Sequence, residues 1–92
     1  MQLGVVKEDE STLILELKGE TIGFANLLRD ELWKDKAVSE AAHIKEHPYL
    51  SEPKVFVKVN KGSPREALEK AAVRIEDRAK EFEEEFKRAL KK

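Results

Sequence analysis

The sequence predicts an α+β fold: a single domain over residues 1–92 in the order ββαββα, with a four-stranded sheet and two helices serving one side of it. Three observations carry this reading. Apolar residues alternate with a period of two in Thr12-Leu13-Ile14-Leu15-Glu16-Leu17 and in Lys54-Val55-Phe56-Val57-Lys58-Val59. Between them the period becomes helical, with Phe24, Leu28 and Leu32 at i, i+4 and i+8. Finally, Ser63-Pro64-Arg65-Glu66 opens a run that contains neither Gly nor Pro up to Lys92.

In order, the first extended segment covers residues 1–9 and ends in the polar cluster Glu8-Asp9-Glu10-Ser11. It reads as a hairpin with the following strand, which places Leu13, Leu15 and Leu17 on one face. Lys18-Gly19-Glu20-Thr21 breaks the alternation, and Thr21 is the N-cap expected for a helix over 22–34, without a capping box behind it. Leu27 and Ala25 widen the stripe of that helix. Its far side carries Ile22, Asn26, Arg29 and Trp33, which leaves two readings: a partner covers this side, or Trp33 caps the end of the sheet. A strand over 38–47 then stops at His47-Pro48, because proline disfavours helix in the residue before it. Residues 49–53 form the loop to the β-branched strand at 54–59.

Composition narrows the functional classes. The chain has 92 residues, no cysteine, 40% charged residues and a net charge of −1. The absence of cysteine removes disulfides, thiolate metal sites and a cysteine nucleophile. A nucleic-acid module carries a basic excess, because phosphate neutralisation supplies most of its affinity, and none is present. No secretory signal or membrane-length apolar run occurs, so a soluble, cytoplasmic protein is expected. The Lys/Glu-rich composition is that of a thermophile.

The last helix carries the functional signal. Leu68, Ala72, Ile75, Ala79, Phe82, Phe86 and Ala89, with Leu90 beside the last, alternate spacings of four and three, which is heptad periodicity. About 28 helical residues reach roughly 42 Å. A strand of about seven residues covers only roughly 23 Å. The sheet therefore covers about four turns, and the stripe from Ala79 onward overhangs it. Leaving a phenylalanine wet forgoes roughly 1.5–3 kcal/mol. Either a partner helix covers the overhang, or the helix frays and Phe86 is a loose surface residue.

Signals for chemistry are sparse. His43 and His47 fall on a predicted strand, too far apart to chelate. The four glycines are isolated, so no phosphate loop exists. Glu83-Glu84-Glu85 reads as a solvated face. No catalytic residue, metal ligand, cofactor or small-molecule ligand is assigned.

Three motifs, taken in order, resemble a known family: Gly19-Glu20-Thr21-Ile22-Gly23-Phe24-Ala25-Asn26-Leu27-Leu28-Arg29, then His47-Pro48, then Ser63-Pro64-Arg65-Glu66-Ala67-Leu68. They are similar to the archaeal subunit L family of DNA-directed RNA polymerase, which shares its core with the dimerisation domain of the bacterial alpha subunit. The family's Asp-His-Thr at the first helix is here Thr21-Ile22-Gly23, which implies loss of any role of that histidine or its cap. The resemblance implies a non-catalytic subunit that pairs with the larger, alpha-like (D-type) subunit of the polymerase, its long helix entering a dimer helix bundle. That heterodimer is then the platform for the large catalytic subunits, where the active-site carboxylates and magnesium reside. It further implies a partner interface at Ile22, Asn26, Arg29, Trp33, Ala79, Phe82, Phe86, Ala89 and Leu90, with Arg29 helping to join a large subunit. Two alternatives stand beside it: a stand-alone homodimer using the same helices, and a small-molecule-binding or hydrolytic domain using His43, His47 and Glu46.

Overall fold

The computed structural model describes residues 2–44 and 52–91. Its elements are β1 (Gln2–Glu8), β2 (Thr12–Lys18), α1 (Ile22–Trp33), β3 (Val38–Ile44), β4 (Lys54–Val59) and α2 (Pro64–Leu90). The ββαββα order is the one the alternation and capping signals predict. Both hairpins are antiparallel, and β2 pairs with β4 to give one sheet in the order β1-β2-β4-β3.

Local chemistry sets the boundaries. Asp9 closes the first hairpin, its Oδ1 accepting from the amides of Ser11 at 3.0 Å and Thr12 at 2.8 Å. Thr21 Oγ1 accepts from the Phe24 amide at 3.1 Å, so this threonine caps the helix although the family's Asp-His-Thr is absent. Ser63 does the same for Glu66 at 3.2 Å, with Pro64 at the first helical position. Gly62, at φ 74°, makes the turn that presents Ser63 in its extended conformation.

The core lies between one sheet face and the helices. Leu13, Leu15, Leu17, Val55, Val57 and Val59 point inward, against Ala25, Leu28 and Leu32 of α1 and Ala67 and Ala71 of α2. Two details differ from the sequence expectation. Leu27 is exposed and does not widen the buried stripe of α1. On α2 the buried contacts are Pro64, Ala67 and Ala71, one step round from the heptad stripe, and Ala72 is exposed. Alanine lets the helix approach the sheet closely, whereas the larger Leu68 and Ile75 sit at the margin of the core. The described part of β3 ends at Ile44; the expected continuation to His47 and most of the 49–53 loop lie outside the described residues.

Candidate subunit interface

Two apolar surfaces remain on the helix side of the sheet. The first is a groove of about 630 Å³ between β1, β2 and the heptad face of α2. Leu13, Leu15 and Leu17 lie at its base, Phe24 and Leu28 come from α1, and Leu68, Ala72 and Ile75 from α2. Its outer wall is the edge strand β1, where Leu3 and Val5 are 56% and 54% exposed although they point to the core side. A register shift between Val5 and Lys7 restores pairing further along β1. Arg65 of α2 donates to both oxygens of Glu8, with its Nη2 2.7 Å from Oε1, and so ties the end of this wall to the first turn of the helix. That hydrogen bond holds the Glu8 carboxyl below the ordinary glutamate range.

The second surface is the overhang. From Glu76 to Lys91 every residue of the chain is exposed. Phe82 is 71% and Phe86 46% exposed, their ring centroids 6.1 Å apart and the rings tilted at 60°. Ala89 and Leu90 complete a shallow apolar patch. The opposite side of the helix is laced with ion pairs between side chains one turn apart, including Lys80–Glu76 at 3.4 Å and Lys87–Glu83 at 3.0 Å. Such pairs support a solvated helix face, so they leave the aromatic stripe as the uncovered one.

The far stripe of α1 occupies a different place. Trp33 donates its indole N–H to the Ala41 carbonyl at 2.8 Å, which seats it on β3, and half of its surface stays exposed. Ile22 is also exposed, Asn26 is half-buried, and Arg29 pairs with its neighbour Asp30 at 3.0 Å. The nine residues singled out in the sequence therefore fall into two groups: Ile22, Asn26, Arg29 and Trp33 on α1, and Ala79, Phe82, Phe86, Ala89 and Leu90 on the overhang.

Sequence reading missed the groove itself. Leu3 and Val5 carry an alternation signal, but nothing local says that an apolar strand face is left open. It also missed Glu31, which is 1% exposed and is the one buried charged residue among the described residues. A hydrogen bond from Lys34 holds its carboxyl below the ordinary value of 4.5, and Arg74 and the charge of Arg78 add to this against the opposing effect of burial. A carboxyl depressed in the folded state stabilises the fold above its unfolded value, and that contribution is lost as pH falls through the folded one. Denaturant unfolding is thus expected to show lower stability at pH 3 than at pH 6, and Glu31→Gln to narrow the difference.

Among the described residues no group of three or more His, Asp or Glu could hold a metal, and no helix is long and apolar enough to cross a membrane. His43 is half-buried, its Nε2 without a partner among the described residues; Glu46 and His47 lie outside them.

A family model described as the RNA polymerase Rpb3/Rpb11 dimerisation domain matches residues 12–85. The chain belongs to this family. It is 40% identical over 95 residues to the DNA-directed RNA polymerase subunit Rpo11 of Thermococcus sibiricus, covering 100% of both chains. The Rpo11 subunit of Methanosarcina barkeri is 32% identical over 90 residues, with 98% of both covered. The crystal structure of DNA-directed RNA polymerase subunit L from Thermoplasma acidophilum superposes with a TM-score of 0.77 at 27% identity, covering 95% of this chain and 90% of that one. The chain is thus a small RNA polymerase subunit of the dimerisation family, and the family's role is pairing, not catalysis.

Proposed function

We propose that this chain pairs with the larger, alpha-like (D-type) subunit of an archaeal DNA-directed RNA polymerase, and that the heterodimer is the cytoplasmic platform on which the large catalytic subunits assemble. The observation that carries this reading is the conjunction of an open apolar groove and an apolar helix overhang in a domain of the dimerisation family. Two such surfaces on one side of a small sheet accept helices from the alpha-like subunit while offering one in return. The overhang residues Ala79, Phe82, Phe86, Ala89 and Leu90 then enter a shared helix bundle. The α1 group, Ile22, Asn26, Arg29 and Trp33, faces a further contact, with Arg29 directed to a large subunit. A net charge of −1 fits a subunit set away from nucleic acid.

Mixing the chain with the alpha-like subunit tests the reading. The isolated chain is expected to self-associate, or to melt at a lower temperature than the mixture, because a partner that binds only the folded state stabilises it. A chain that stays monomeric at high concentration and keeps its melting temperature when the alpha-like subunit is added would sink the proposal.

A further inference from the structure

The outermost tie between α2 and the rest of the domain is electrostatic. Ala71 is the last fully buried residue of α2, Arg74 and Ile75 are half-buried, and everything beyond is exposed. At this point of departure stands Glu31, on the last turn of α1. Its Oε1 accepts from Arg74 Nε at 3.1 Å, and its Oε2 lies 2.9 Å from Lys34 Nζ and 3.5 Å from Arg78 Nε. Arg74 also donates through Nη2 to the main-chain carbonyl of Glu31 at 2.7 Å. One guanidinium therefore grips both the side chain and the backbone of the same residue, which constrains the rotation of α2 as well as its distance from α1. Arg74 and Arg78 are four residues apart on one helix face, so a single carboxylate holds two successive turns.

We propose that Glu31 is a positioning residue of the interface: it pins α2 where the helix leaves the domain and so sets the direction of the Phe82/Phe86 overhang before a partner arrives. Leverage makes this matter. Phe86 lies about 18 Å along the helix from Arg74, so a tilt of about 10° there displaces it by roughly 3 Å, more than a packed interface tolerates. Apolar contacts at Ala67 and Ala71 fix the height of the helix over the sheet, while the larger Leu68 and Ile75 pack only at the margin of the core, beside the open groove, and resist tilt weakly. The inference rests on the overhang being the pairing surface, and its test separates the two.

Because the chain contains no cysteine, spin labels can be placed cleanly by Lys58→Cys on β4 and Glu84→Cys on the overhang. Electron–electron double resonance on the isolated, labelled chain is expected to give one narrow distance. Glu31→Gln should at least double its width while the circular dichroism stays native. Arg78→Ala, at a residue 65% exposed on its side chain and in contact with Glu31, should broaden it less and spares the fold if Glu31→Gln does not. Affinity for the alpha-like subunit should fall about tenfold in Glu31→Gln, through slower association, since only the correctly directed fraction is competent to bind. Unchanged widths in both variants overturn the pin whatever the pairing affinity. Broadened distances with unchanged affinity overturn its role in pairing, and a wild-type chain that does not bind the alpha-like subunit overturns the pairing reading itself.

Discussion

Phe86→Ala is expected to weaken binding to the alpha-like subunit by roughly 2–4 kcal/mol, the cost of truncating a buried aromatic anchor at an interface. The same substitution should change the unfolding free energy of the isolated chain by no more than about 0.5 kcal/mol, as an exposed position does. The contrast follows from where the ring sits: its nearest aromatic neighbour is the still more exposed Phe82, and no core residue lies under it. Titration calorimetry and denaturant unfolding on one variant supply both values. If unfolding suffers by several kcal/mol while binding holds, the helix folds back onto its own domain in solution and the overhang is not an interface.

Val5→Asp probes the other surface and should be comparably severe for pairing. Val5 is half-exposed on the outer wall of the groove, so the carboxylate stays hydrated in the free chain. The cost to the fold is then limited to the β-propensity change, within about 1 kcal/mol. Once a partner helix covers the wall, the charge is buried without a counterion, which costs several kcal/mol. Affinity for the alpha-like subunit should drop by on the order of 100-fold or more, a fall of about 2.7 kcal/mol by the usual conversion. Near-normal affinity for Val5→Asp would mean that the groove is not occupied in the pair, and would restrict the interface to the overhang.

Much of this was legible in the sequence because local signals and tertiary needs agree. The alternation at Leu13/Leu15/Leu17 and Val55/Val57/Val59 translates directly into one buried sheet face. The Ser63-Pro64 start and the uninterrupted run behind it give the long helix, and comparing its length with that of a strand locates the uncovered end. What local pattern does not encode is which of two adjacent stripes on α2 meets the sheet. Heptad spacing favours Leu68, Ala72 and Ile75, yet the sheet takes Ala67 and Ala71, because close approach selects small side chains over large ones. The larger stripe is thereby released to line the groove. Glu31 was illegible for a related reason: its counterions Arg74 and Arg78 are over forty positions away, and only the docking of α2 on α1 brings them together.

The seating of Trp33 on β3 also equips the protein with an intrinsic optical probe. It is the single tryptophan of the chain, so its emission comes from one known place. Tethered through its indole N–H yet half open to solvent, the ring should fluoresce at an intermediate wavelength in the free chain. Unfolding would shift that emission to the red, and coverage of the α1 far stripe to the blue. Assembly steps that bury the overhang alone should leave it unmoved. The colour of one residue thus distinguishes which of the two faces a newly added subunit has taken.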